Sequence, residues 1–113
     1  IIYQEKIKID YIDTAKTLYQ KLNLSLIKLF KKNWINNKKN NYKKIKNIKK
    51  LGTFHMSSDF KKIEKINLNK KIYPMDLINQ LRAKMFYPNP CAYFEINNKK
   101  VFVEIKLKYK KNK

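Results

Sequence analysis

The chain is short of the residues that most small enzymes lean on. Its 113 residues hold one glycine, one cysteine, one histidine and one arginine. A single glycine, Gly52, excludes a glycine-rich phosphate loop. A single cysteine, Cys91, excludes an internal disulfide and fits a reducing cytosol. One histidine and one cysteine do not make a zinc site, so no metal is expected. His55 lacks a recognisable nucleophile elbow or orienting acid, and acid–base pairs cannot be picked from eight scattered carboxylates. No apolar run approaches a membrane span, and the N-terminus has no signal-peptide pattern. A cytoplasmic chain without membrane contact is therefore expected. The first residue is isoleucine rather than methionine, which points to a processed, split or truncated chain.

Lysine is what the chain has in excess. The net charge is +20, and of the 28 basic residues only Arg82 is arginine. Such a charge points toward nucleic acid or another polyanion. Phosphate and base readers favour the planar fork of arginine, however. Lysine, asparagine, isoleucine and tyrosine are also what an AT-rich coding sequence favours. A compositional origin and a selected anion-binding surface both stay open. A small basic RNA-binding or structural module is the alternative functional reading. Apolar residues make up 43%, enough for a modest core.

The order of patterns predicts a mixed α/β chain. Residues 1–9, IIYQEKIKI, read as a strand. Asp10, Asp13 and Thr14 are helix-cap candidates. Ala15, Leu18, Leu22, Leu26, Leu29 and Phe30 then recur at steps of three and four, drawing a stripe on a helix of about five turns. Residues 36–50, NNKKNNYKKIKNIKK, read as a lysine- and asparagine-rich linker. Order returns at Leu51. Gly52 to Phe54 form a short extended piece, with Gly52 serving a positive φ or a close approach. Ser57, Ser58 and Asp59 open a helix carrying Phe60, Ile63 and Ile66. Pro74 opens another, with Leu77, Ile78, Leu81 and Met85 as its stripe. YPNP (87–90) stops it. Residues 91–96 and 101–109 flank NNKK and read as a β-hairpin, with a frayed tail after it. Tyr87, Tyr93 and Phe94 are candidates for stacking on a base, or for sheet core. Arg82 is a candidate for a carboxylate, a phosphate or an internal ion pair.

Five segments, in order, carry a resemblance: IIYQ, DTAKTLYQKL, GTFHMSSDF, INLNKKIYPMDLINQLRA and FYPNPCAYFEINNKKVFVEI. Together they resemble the C-terminal part of the 10-formyltetrahydrofolate-dependent formyltransferases, which include sugar N-formyltransferases and methionyl-tRNA formyltransferase. The resemblance covers most of residues 1–108, the lysine-rich linker excepted. It implies that residues 1–35 end a Rossmann-like catalytic domain, 36–50 link, and 51–113 form an acceptor-side region with the hairpin. It also implies that the family's catalytic Asn, His and Asp lie upstream. None is carried here, and His55 belongs to another motif. The chain alone is expected to be inactive, with most of the 10-formyltetrahydrofolate site upstream and an upstream half as a partner. Thr53, His55 and Arg82 are the residues expected to touch the acceptor or to hold its region together. The GTFH form, the following SSDF and the end of the chain soon after the hairpin favour a nucleotide-linked amino sugar as acceptor. Methionyl-tRNA comes next. The hairpin is a candidate dimer contact.

Overall fold

The computed structural model describes residues 1–46 and 52–110. Three helices precede a hairpin: α1 (Ala15–Lys38), α2 (Ser57–Lys62), α3 (Pro74–Lys84), β1 (Ala92–Ile96) and β2 (Lys99–Val103). The chain divides into two units, 1–8 with 19–54 and 9–18 with 55–113. The expected return of order at Leu51 lies outside the described residues.

Thr14 is the cap that α1 uses. Its hydroxyl accepts the Thr17 N–H at 3.4 Å, and the Thr17 hydroxyl accepts the Thr14 N–H at 2.9 Å. Two of the free donors of a helix start are thereby satisfied reciprocally. Asp13 supports this from outside the helix. Its carboxylate accepts the Asp10 N–H at 2.8 Å and the Thr17 hydroxyl at 3.0 Å. The helix runs for 24 residues, longer than expected, and enters the segment read as linker. Its stop is chemical. Asn40 takes a left-handed φ of 54°, its N–H donates to Asn37, and the Asn41 N–H donates back to Asn36 at 2.8 Å. This is the Schellman arrangement, with asparagine in the place glycine usually fills.

In the first unit the expected strand over residues 1–9 is not present. A strand is defined by its neighbours. The segment's backbone pairing here is with Ile45, whose N–H donates to Ile1 at 2.7 Å while the Ile1 ammonium donates back at 3.2 Å. Without a ladder an isoleucine-rich run has no reason to be a strand. The apolar stripe on α1 is present, but α1 buries no residue. Phe30 and Trp34 stack with centroids 5.1 Å apart, and both remain about half exposed. With Ile2, Tyr3, Leu26 and Leu29 they line an open groove of about 190 Å³.

The second unit is built around Leu81 and Ala92, the buried apolar residues among those described. α3 starts at Pro74, where the missing N–H costs nothing, and stops before the prolines at 88 and 90. Leu77, Ile78 and Met85 share its inward side with Leu81 and are half-buried. α2 is shorter than its apolar spacing predicts. Asp59 accepts the Met56 N–H at its start, and the helix ends at Lys62. Ile66, expected on α2, instead donates its N–H to Tyr93 at 2.7 Å, and Tyr93 donates to Glu64 at 2.8 Å. This parallel bridge competes successfully with another helical turn because it satisfies the outer edge of β1.

The hairpin is antiparallel, with Ala92 opposite Val103 and Ile96 opposite Lys99. Asn97 and Asn98 make the turn with φ of 49° and 60°. Positive φ at both positions is what a two-residue type I′ turn requires. Replacing Asn98 with glycine removes the Cβ cost at a left-handed position. Asn98→Gly is expected to stabilise the unit by about 0.5 kcal/mol, read as a raised urea midpoint at unchanged slope.

Candidate functional site

The second unit brings the turn before α1, the end of α3 and the hairpin together. Arg82 does most of the joining. Its Nε donates to the Asp13 carbonyl at 2.6 Å and Nη2 to the Asp10 carbonyl at 2.7 Å. Nη1 reaches the Asn79 amide oxygen at 3.3 Å. The guanidinium fork thus clamps a turn about 70 residues away to α3, a geometry lysine cannot match. Tyr109 closes the same turn by donating its hydroxyl to Asp10. That bond holds the Tyr109 pKa above its ordinary value.

A second link runs through residues 64–66. Lys65 pairs with Glu95 across the parallel bridge. The shared hydrogen bond raises the Lys65 pKa and lowers that of Glu95. Lys84 is the unusual member. It is a lysine at 3% exposure, with its ammonium 3.0 Å from Glu64 and 4.0 Å from the centroid of the Phe60 ring. A charge this buried needs a partner, and Glu64 with Phe60 supplies both ion pair and cation–π contact.

Between the start of α1, the segment 85–91 and β2 lies a cavity of about 500 Å³. Phe86, Tyr87 and Phe102 give it aromatic walls, and Lys16, Asn89, Cys91 and Glu104 give it polar groups. Of the stacking candidates, Tyr87 lines this cavity. Tyr93 and Phe94 are half-buried in β1, and the Tyr93 ring lies 5.7 Å from Phe102. Phe102 and Glu104 were not singled out from sequence. Their i, i+2 spacing at the end of a strand, which places them on one face, is the signal that could have found them.

The three residues expected at the acceptor side fare differently. Arg82 is engaged as described. His55 and Thr53 are exposed, and neither side chain makes a hydrogen bond among the described residues. Thr53 belongs to the first unit, and His55 and Arg82 to the second. Among the described residues, no three histidine, cysteine or carboxylate groups gather as a metal site. No described helix is long and apolar enough to cross a membrane.

The outer edge of β2 has no strand partner among the described residues. Val101 and Phe102 there are exposed, as is Ile96 across the turn. An edge of this kind is open to pairing with another chain. Residues 59–109, which contain it, match the model of the N-formyltransferase dimerization C-terminal domain. Nearly all of the chain also superposes on solved structures. A 4-N formyltransferase from Francisella tularensis matches 96% of this chain with a TM-score of 0.87 at 27% identity.

The chain resembles the C-terminal part of the sugar N-formyltransferases.

A sugar N-formyltransferase from a Shewanella species matches 97% of the chain with a TM-score of 0.83 at 25% identity. A Mycobacterium tuberculosis protein, 23% identical over 98% of the chain with a TM-score of 0.87, shows the shared fold alone. The chain spans 45% of the length of the first two structures and 48% of the third. Comparison with curated proteins gives no match. The formyltransferase resemblance read from the order of the five segments is thus supported from an independent side. So are the long helix, the two shorter helices and the C-terminal hairpin.

Proposed function

We propose that this chain is the C-terminal part of an enzyme that moves a formyl group from 10-formyltetrahydrofolate to the amine of a nucleotide-linked amino sugar. The observation that carries the reading is fold likeness over nearly the whole chain to enzymes more than twice its length. The uncovered apolar side of α1 agrees with it. A helix of this length normally hides such a stripe against another element, and here Leu26, Phe30 and Trp34 stay open. Residues outside this chain would cover it.

In this reading the acceptor nitrogen attacks the formyl carbon, the bond from that carbon to the donor nitrogen breaks, and the acceptor gives up a proton. The donor's chemistry belongs to residues outside this chain. The only histidine, His55, is exposed and makes no side-chain hydrogen bond among the described residues, so it forms no acid–base pair here. This chain's part is to position the acceptor side through Arg82 and the turn it holds within the second unit. The open edge of β2 joins two copies.

The test supplies the missing half in trans. The full chain is mixed with the separately produced first half of the Francisella tularensis enzyme, and formyl transfer to a nucleotide-linked amino sugar is followed. Activity in the mixture and none from either part alone is the expected result. No activity in any combination, with the two parts shown to associate, overturns it. Light scattering on the same samples reports whether the hairpin makes a dimer.

A further inference from the structure

We propose that residues 104–109 form a movable wall of the cavity beside the hairpin, latched shut by the hydrogen bond from Tyr109 to Asp10. The device lies wholly within the second unit and is independent of the formyltransferase reading.

Alternation from Val101 to Tyr109 predicts a strand throughout, but β2 ends at Val103. The ladder stops there because β1 does. Ala92, opposite Val103, is the first residue of β1, and Pro90 just before it has no N–H to give. Residues 104–110 therefore leave the sheet. Among the described residues they make no backbone–backbone hydrogen bond. The alternation survives in another form, as a strap with two faces. Ile105 and Leu107 are half-buried, while Glu104, Lys106 and Lys108 are exposed.

Two hydrogen bonds hold the strap down. The Ile105 N–H donates to Met85 Sδ at 3.4 Å, a weaker acceptor than oxygen. The Tyr109 hydroxyl donates to Asp10 Oδ1. The receiving end is well fixed. The Asp10 carbonyl accepts both Arg82 Nη2 and the Asp13 N–H, and the Asp10 N–H donates to the Asp13 carboxylate. A firmly bonded turn thus faces a sparsely bonded strap, and segments with few backbone bonds open at low free energy. The strap also bounds a space. Glu104 at its root lines the cavity of about 500 Å³, as do Met85, which Ile105 touches, and Cys91. Lifting the strap removes that wall and uncovers Met85 and Cys91.

Cys91 is the only thiol in the chain, so its rate of modification reports the wall's position. The full chain, carried on a cysteine-free soluble fusion partner, is treated with a thiol-reactive dye. Parent, Tyr109→Phe, Asp10→Asn and the double variant are compared. Tyr109→Phe keeps the ring and loses only the donor. The residue is 59% exposed, so the fold should survive, which circular dichroism checks. Modification is expected to run about tenfold faster in Tyr109→Phe. Trypsin cleavage after Lys106 and Lys108 should quicken with it. Asp10→Asn keeps an acceptor without the charge and should fall between parent and Tyr109→Phe. The double variant should react no faster than Tyr109→Phe, because both changes act on one bond. Urea separates wall opening from unfolding. Lifting the strap exposes little surface, so the faster rate should stay flat in sub-denaturing urea, whereas modification through global unfolding climbs steeply. Three results overturn the latch: an unchanged rate in Tyr109→Phe, a rate in that variant that climbs steeply with urea, or a double variant whose acceleration is the product of the single ones.

Discussion

Replacing Lys84 with alanine is expected to cost the second unit about 3 kcal/mol. The side chain is 3% exposed, and its ammonium is held between the Glu64 carboxylate and the Phe60 ring. Removing it does three things at once. It strands the carboxylate, deletes the cation–π contact and empties the space taken by the four-carbon stem. The cost stays at the low end of values for buried pairs because the Glu64 side chain is 36% exposed and can recover water. Lys84→Met separates the parts. It keeps most of the stem's volume and loses only the charge, so it should recover about half the loss. Urea unfolding of the two variants beside the parent gives both numbers. A loss below about 0.5 kcal/mol in Lys84→Ala would show that the pair behaves like an exposed surface ion pair.

The second large effect is expected at Arg82. Two of its nitrogens bond the carbonyls of Asp13 and Asp10, and a third reaches Asn79. A lysine there keeps the charge but offers a single point donor in place of the fork. Arg82→Lys is expected to cost about 2 kcal/mol, because at least one half-buried carbonyl loses its donor. It should also loosen the turn from Asp10 to Asp13, read as faster hydrogen exchange at the Asp13 amide, which donates to Asp10 at 3.1 Å. An acceptor contact predicts another outcome. Stability would stay level while the acceptor KM of the reconstituted enzyme rose. The two results are exclusive enough to decide which role Arg82 plays.

Sequence was a good guide where local chemistry decides. Pro74 at the start of α3, the prolines at 88 and 90 beyond its end, and the paired asparagines at 97 and 98 each act within a few residues. The structure follows them. It was a poorer guide where partners are distant. Arg82 meets carbonyls about 70 residues away, and Lys84 is buried only because Glu64 and Phe60 come to it from another segment. No spacing rule marks either. The isoleucine-rich start was read as a strand from composition, yet strand formation depends on a neighbour that local sequence does not specify. Asn40 shows the reverse error. It lies in a run that looked featureless and is the residue that ends α1. Part of the candidate site was legible in Arg82 and Tyr87. Lys16, Phe102 and Glu104 stayed hidden because three separate segments supply them.

The open stripe on α1 has a consequence for how much of this chain a cell would keep. Leucines, isoleucines and aromatics that face water along a 24-residue helix are what chaperones and proteases recognise. Residues 1–113 produced by themselves are therefore expected to aggregate or be degraded, and a longer polypeptide or a partner that covers the stripe is expected to restore soluble material.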